Sequence, residues 1–253
     1  MTYTGTVVVG GPADVRRLDE LEIRKVAVGR MANDAYLLTC RRTGDQVLVD
    51  AAAEPRRLLA LLAEPAEPAE PADARRSPTS SGGDPASRLT TVVTTHRHHD
   101  HVGALADVVA ATGAVLAVGD ADADAVTAET GVPVGRRLHH GDTVAVGRSL
   151  LEVVALRGHT PGSVALAYRE PSPARAPDAV ARRVHLFTGD SLFPGGVGNT
   201  DHDPQRFAQL LDDVTERVFE RFDDDTWVYP GHGADTTLGA ERPHLEAWRA
   251  RGW

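Results

Sequence analysis

The segment Thr95-His96-Arg97-His98-His99-Asp100-His101 directly follows an apolar, strand-like run at residues 89–93. Alternate side chains of an extended chain point the same way, so His96 and His98 can face one metal ion. Asp100 and His101, where the chain turns, can face a second ion. The segment predicts a metal site, although solvated surface histidines give the same pattern and further ligands are needed to distinguish the two.

Three later motifs each place one residue of a ligand type beside glycine, after an apolar run. They are Gly158-His159-Thr160-Pro161-Gly162, Thr188-Gly189-Asp190-Ser191-Leu192-Phe193 and Pro230-Gly231-His232-Gly233. Loops at strand ends commonly carry residues of this kind. Nitrogen and carboxylate donors suit zinc, iron or manganese, whereas the single cysteine, Cys40, excludes a thiolate-rich structural site.

The order of these motifs resembles that of the metallo-β-lactamase superfamily, and within it the glyoxalase II-like (hydroxyacylglutathione hydrolase-like) hydrolases. The resemblance runs from about Met31 to the carboxyl end. It includes an early strand at residues 33–38 and a glyoxalase-like ending at residues 236–242. The family's ligand positions correspond to His96, His98, Asp100, His101, His159, Asp190 and His232.

The resemblance implies an α/β (α+β) fold, a four-layer αββα sandwich of two mixed β-sheets flanked by helices, with two divalent metal ions at one edge. Zinc is the expected metal, and iron or manganese are alternatives. In the family pattern His96, His98 and His159 hold one ion, and Asp100, His101 and His232 hold the other. Asp190 bridges the ions, and Asp100 and Asp190 are the predicted catalytic carboxylates. Two close cations lower the pKa of a shared water, so a bridging hydroxide can attack without a serine or cysteine nucleophile.

The glycine-rich loop at residues 193–201 bears on the substrate. In glyoxalase II relatives a basic residue in this loop helps to hold glutathione, whereas this chain has Asn199, the predicted substrate-binding residue. This departure from the family pattern favours a small-molecule thioester of another thiol carrier, such as mycothiol or coenzyme A, or a different ester. A lactonase, a persulfide dioxygenase with one iron, and a non-catalytic metal-binding module are the alternatives.

Composition limits the other classes of function. The chain has 253 residues, 42% hydrophobic content and a formal charge of −9, which predicts one domain over residues 1–253. The arginines occur in separated pairs without a continuous basic face, so nucleic acid is not an expected partner. No membrane-length apolar run and no signal peptide are recognisable, and one cysteine allows no intrachain disulfide. A cytoplasmic protein is expected, with its oligomeric state left open.

Periodicity predicts strands at residues 26–28, 36–39, 46–49, 115–118, 143–146, 150–156, 163–168, 184–187 and 226–229. It predicts helices at residues 56–63, 102–112, 120–129, 205–222 and 238–249. Residues 64–87 are rich in proline and alanine and predict a flexible loop insertion, because such a segment buries little apolar area. Residues 170–182 predict a second loop insertion.

Several residues near these motifs have simpler interpretations. His99 alternates away from the predicted ligands and is expected to pack or hydrogen-bond beside them. The remaining histidines are expected to be solvated: His139, His140, His185, His202 and His244. Cys40 and Tyr229 are expected in the core.

Overall fold

The structure is a computed structural model that describes residues 3–67 and 88–252. Within these ranges seven strands form the first sheet, in the order of the chain. They are β1 Asp14–Arg17, β2 Leu21–Val28, β3 Asn33–Cys40, β4 Gln46–Val49, β5 Leu89–Thr94, β6 Val115–Gly119 and β7 Arg136–Leu138. The first four strands are antiparallel neighbours, and the pairs from β4 to β7 are parallel.

The second half of the described chain adds eight strands. They are β8 Thr143–Val146, β9 Ser149–Ala155, β10 Val164–Arg169, β11 Val184–Gly189, β12 Leu192–Phe193, β13 Gly196–Val197, β14 Trp227–Pro230 and β15 Thr236–Thr237. Strands β12 and β13 form a short hairpin, and the other six form a sheet in the order β15-β14-β11-β10-β9-β8. The β11–β14 pair is parallel in this otherwise antiparallel sheet. Both main sheets are therefore mixed, as predicted.

Six α-helices occur in the described ranges: α1 Pro55–Ala63, α2 Leu105–Thr112, α3 Ala123–Thr130, α4 Pro204–Val214, α5 Leu238–Glu241 and α6 Leu245–Arg251. One apolar cluster lies between the sheets and includes Tyr36, Val93, Phe187 and Tyr229. A second joins the first sheet to α1 and α2 through residues such as Leu58 and Leu105. A third joins the second sheet to α4 and α6 through Leu210 and Trp248. These three cores confirm the four-layer αββα sandwich.

Some predicted boundaries differ from the structure. Strands β1 and β7 were not predicted, because their sequences are mostly polar. The helix expected from residue 102 begins at Leu105, after a 3-10 turn at His99–His101. The long helix predicted at 205–222 ends as an α-helix at Val214 and continues as a π-turn at Thr215–Phe219. The closing helix is divided by a 3-10 turn at Arg242–His244, which contains Pro243.

The two predicted insertions are described to different extents. Most of the first, at residues 68–87, lies outside the described residues. The second, at 170–182, contains no helix or strand. It is nevertheless attached to the first sheet, because Asp178 accepts a hydrogen bond from the Arg17 backbone at 2.9 Å and Asp19 accepts one from Ala176 at 2.8 Å. Among the described helices, none combines the length and apolar content needed to cross a membrane.

Candidate metal centre

The predicted ligands converge because parallel strands end at one edge of the sandwich. The 96–101 segment follows β5, Asp190 follows β11 and His232 follows β14. His159 lies in the loop between β9 and β10. A backbone hydrogen bond from Val164 to the Thr95 carbonyl, at 2.9 Å, connects the two sheets beside this loop. Chain segments that are far apart in sequence therefore meet at the edge.

Three histidines form the first potential metal group. The ligand atoms of His96, His98 and His159 lie within 4.8 Å of one another. His96 Nε2 is 3.1 Å from His98 Nδ1. His96 and His159 are buried, and His98 is partly exposed. Three imidazole nitrogens at one point match the donor set of a zinc or iron ion.

The second potential group consists of Asp100, His101 and His232, again within 4.8 Å of one another. Asp100 Oδ2 is 3.5 Å from His232 Nε2 and 3.7 Å from His101 Nε2. Asn33 Nδ2 donates to the same Asp100 oxygen at 2.9 Å, which fixes the carboxylate.

Asp190 lies between the two groups. Its Oδ1 is 3.4 Å from His101 Nε2, and its Oδ2 is 3.6 Å from His232 Nε2 and 3.8 Å from His159 Nε2. Asp190 also forms a third potential group with His96 and His101. One carboxylate thus faces donors of both groups, which is the geometry that a bridging ligand needs.

Among the histidines predicted as ligands, all except His98 have the outer ring nitrogen fixed by an oxygen. His101 Nδ1 is 2.9 Å from Asp50 Oδ2, His159 Nδ1 donates to the Asn199 carbonyl at 2.7 Å, and His232 Nδ1 donates to the Met31 carbonyl at 3.1 Å. His96 Nδ1 lies 3.0 Å from Thr95 Oγ1. These contacts orient Nε2 of all four rings toward the centre, as outer partners of metal ligands do.

Two buried carboxylates that the sequence analysis missed support the ligand loops. Asp50 follows β4 and accepts hydrogen bonds from the Thr95 amide and hydroxyl, both at 2.7 Å. Asp122 lies just after β6 and accepts from the Arg97 amide at 3.1 Å and the Gly162 amide at 3.0 Å. Both follow strands parallel to β5, so the strand-end position that identified His96 could also have identified them.

Burial dominates the electrostatics of the histidines in the first group. It lowers the pKa of His96, His98 and His159, which keeps these imidazoles neutral with a lone pair to offer. Burial also favours a neutral His101, but Asp50 and Asp190 more than offset it and raise the pKa of His101 to about 10. Burial would raise the pKa of Asp190, yet the imidazoles of His101 and His232, 3.4 and 3.6 Å away, hold it well below its usual range. The centre therefore favours positive charge beside ionised carboxylates.

The unsatisfied atoms of the site fit a divalent cation. Within the described ranges, His101 Nε2, His159 Nε2 and Asp190 Oδ1 are buried and lack a hydrogen-bond partner. Buried polar atoms normally have partners, and these three atoms belong to the facing groups described above. Nitrogen and carboxylate donors arranged in this way suit a zinc, iron or manganese ion.

The structure brings together all seven side chains predicted as ligands. Asn199 also lies at the site, but its side-chain oxygen accepts from the Asp201 amide at 2.8 Å while its carbonyl holds His159. The side chain of His99 is 76% exposed, and its Nδ1 lies 3.9 Å from Oδ1 of Asp100, one of the predicted ligands. The expectation that His185 is solvated is wrong: it is fully buried between Tyr229 and Glu170.

An αββα sandwich with a histidine- and aspartate-rich centre at one edge defines a class of metal-binding enzymes. Residues 28–232 match the model of the Metallo-beta-lactamase superfamily, and the chain belongs to that family. It is 31% identical over 201 residues to a hydroxyacylglutathione hydrolase of Polaromonas sp., covering 79% of this chain. The match spans only 62% of the length of that relative.

Two solved structures extend the comparison. TTHA1623, solved in a di-iron-bound form, is 29% identical with a TM-score of 0.60, over 86% of this chain and 96% of that one. ETHE1 from Myxococcus xanthus is 26% identical with a TM-score of 0.64, over 90% of this chain and 84% of that one.

Proposed function

We propose that the protein is a dinuclear metal-dependent hydrolase of a low-molecular-weight thioester. The observation that carries the proposal is the position of Asp190, which lies within 4 Å of donors from both the His96/His98/His159 group and the Asp100/His101/His232 group. The similarity to a hydroxyacylglutathione hydrolase supports the reaction class, and the di-iron form of TTHA1623 supports two ions. Zinc remains the expected metal, with iron as its main competitor.

When bound, the two ions supply an activated water and polarise the acyl carbonyl, which removes the need for a serine or cysteine nucleophile. The protein's own contribution is to fix the donors. Asp50 and the Asn199 carbonyl hold His101 and His159 by their outer nitrogens. Asn33 holds Asp100. A preorganised site of this kind stabilises developing negative charge without reorganising during the reaction.

The thiol half of the substrate is expected to determine specificity. Asn199 stands where a basic residue is expected, and its side chain is already engaged by the Asp201 amide. Arg206, one of the cations near this loop, donates to the Gly158 carbonyl at 2.9 Å and to Asp201 at 2.6 Å. Neither residue offers a free positive charge for a glutathione carboxylate. We therefore propose that a thioester of another small thiol is the better substrate.

A substrate panel tests this proposal directly. Thioesters of glutathione, coenzyme A and mycothiol are compared with acyl-homoserine lactones on the metal-reconstituted protein. We expect S-lactoylglutathione to be turned over at least roughly tenfold less efficiently than the best thioester, about 1.4 kcal/mol of transition-state binding. An Asn199→Arg variant serves as a matched probe and should improve the glutathione thioester selectively.

Three outcomes would contradict the proposal. Efficient hydrolysis of S-lactoylglutathione would remove the argument from Asn199. Preferential opening of lactones would make the protein a lactonase. Oxygen uptake with a persulfide, together with one bound iron, would make it a dioxygenase.

A further inference from the structure

Lys25 is unusual in both sequence and structure. The chain has 27 basic residues, and Lys25 is the single lysine among them. The other 26 basic residues in this count are all arginines. Lys25 lies within β2 and its side chain is 0% exposed. Lysine is seldom fully buried unless its ammonium group is paired.

The ammonium group of Lys25 is surrounded by oxygen atoms. It donates to the Gly233 carbonyl at 2.6 Å, to Asp235 Oδ1 at 2.7 Å and to the Gly5 carbonyl at 3.0 Å. Asp34 Oδ2 is also 3.0 Å away. The three N–H donors thus serve three acceptors, and the buried positive charge also faces a second carboxylate, that of Asp34.

These contacts hold the loop that carries His232. Gly233 follows His232, and its carbonyl accepts the shortest of the Lys25 hydrogen bonds. On the other side of His232, the Asp34 amide donates to the Gly231 carbonyl at 2.7 Å, and the Gly231 amide donates to Gly189 at 2.8 Å. Strand β3 and Lys25 of β2 therefore fix the backbone on both sides of one predicted metal ligand.

Lysine suits this position better than arginine. Its ammonium is a compact charge with three rotatable donors, whereas a guanidinium is a planar fork that needs acceptors in its plane. The four oxygens come from separate parts of the chain, at residues 5, 34, 233 and 235, and all lie within 3.0 Å of one atom. The larger guanidinium would have to push these segments apart.

We infer that Lys25 is a positioning residue for the metal centre: it fixes the 231–235 loop so that His232 completes the Asp100/His101/His232 group. This inference rests on the dinuclear centre proposed above. It assigns no contact between Lys25 and substrate. The expected consequence of losing Lys25 is weaker binding of one metal ion, with the His96/His98/His159 group retained.

The test is a metal titration of the stripped protein against a competing chelator. In Lys25→Met we expect the weaker binding step to lose at least roughly tenfold in affinity, the range typical of lost outer partners of metal ligands. The tighter step should stay close to that of the wild type. A His232→Ala variant identifies the step that belongs to the second group, and the Lys25→Met curve should resemble it.

Loss of Lys25 leaves the buried carboxylates of Asp34 and Asp235 without a counter-charge, which can unfold the chain. The triple variant Lys25→Met/Asp34→Asn/Asp235→Asn removes these charges as well, and the same loss of the second ion is expected in the folded protein. The matched control is Arg24→Met/Glu22→Gln, which removes a buried ion pair from the same strand. This control should lower the melting temperature without changing either metal-binding step.

The outcomes separate the two claims. If the wild type binds two ions and the folded triple variant binds both at wild-type affinity, only the role of Lys25 is overturned. A Lys25→Arg variant with wild-type binding overturns the argument that lysine is required. A wild type that binds a single ion overturns the dinuclear centre and this inference with it.

Discussion

Gly231 illustrates how tightly single residues are placed at the centre. A Cβ at this position would be 2.1 Å from Asp190 Oδ1 and 2.8 Å from His101 Cε1. We therefore expect Gly231→Ala to displace Asp190 and abolish metal retention, as measured by elemental analysis after desalting.

Gly233→Ala is the matched control, because its φ is +81° but no heavy atom would lie within 4 Å of the new Cβ. It should cost only the strain of a left-handed backbone, roughly 1–2 kcal/mol, and keep its metal. Equal metal contents in the two variants would contradict the steric argument.

Asp190 allows a second prediction for a single residue. Because its two oxygens face donors of both groups, Asp190→Ala should reduce both metal retention and hydrolysis to near background. The control is Asp107→Ala, an exposed carboxylate on α2, which is expected to keep both. Full activity of Asp190→Ala would reject the bridging role.

At the residue scale, the sequence predicted the side chains that meet and missed those that hold them. The ligands are recognisable because few other roles need clustered histidines or a ligand-type residue directly beside glycine. The residues of the second kind are His159, Asp190 and His232. Asp50 and Asp122 resemble ordinary turn residues until the strand order places them beside the ligands. Lys25 lies in a strand of mixed polarity, and its partners come from distant segments.

The second loop, at residues 170–182, has a buried polar anchor. Glu170 Oε1 accepts from the Val180 amide at 3.0 Å and lies 2.8 Å from His185 Nε2, and both side chains are fully buried. Burial raises the pKa of Glu170 to about 7 and lowers the pKa of His185 well below its usual value. The pair is thus mainly uncharged in mildly acidic solution.

This anchor predicts a pH dependence of stability. The pKa of Glu170 is higher in the folded than in the unfolded chain, so protonation of Glu170 stabilises the fold. This stabilisation is complete below about pH 4.5 and is lost as the pH rises through about 7. The loss should approach about 3 kcal/mol of unfolding free energy. Denaturant unfolding of Glu170→Gln should lack this component, whereas Glu152→Gln, at a partly exposed site, should retain it. Parallel pH profiles of the wild type and Glu170→Gln would contradict the assignment.

At the scale of elements, the apolar strands and the amphipathic helices followed from periodicity. β1 and β7 did not, because Asp14–Arg17 and Arg136–Leu138 are short and mostly polar. Their strand conformation comes from pairing with β2 and β6. The burial of His185 was missed for a related reason: its partners come from other segments, Tyr229 from β14 and Glu170 from the position directly after β10.

For the molecule as a whole, we expect residues 68–87 of the first insertion to be dispensable. Replacing residues 68–87 by a Gly/Ser linker of about ten residues, which spans up to roughly 33 Å, should change stability little. Halving a loop alters closure free energy by only about 0.6 kcal/mol. Melting temperature and turnover should stay near those of the wild type.

A longer deletion that also removes residues 64–67 is the control. It removes Glu64, which is 3.2 Å from Arg24, and Glu67, which is 2.7 Å from Arg17. This variant should melt at a lower temperature. A comparable loss in the shorter deletion would show that residues 68–87 contribute to the fold.

The fold class followed from the sequence because the ligand motifs occur in a fixed order between recognisable strands. The substrate did not follow, since the loops around Asn199, which we propose to determine specificity, have local contacts and do not repeat a motif. The ligand set predicts two bound ions, and the position of the Asp190 carboxylate between the two donor groups supports this number. The number of ions was therefore easier to predict than the substrate and harder than the fold.

The most direct test of the dinuclear centre is elemental analysis of the purified, reconstituted chain. Two donor groups that share Asp190 predict close to two transition-metal ions per chain. A reproducible value of one iron per chain, with no second metal taken up on reconstitution, would contradict the dinuclear centre.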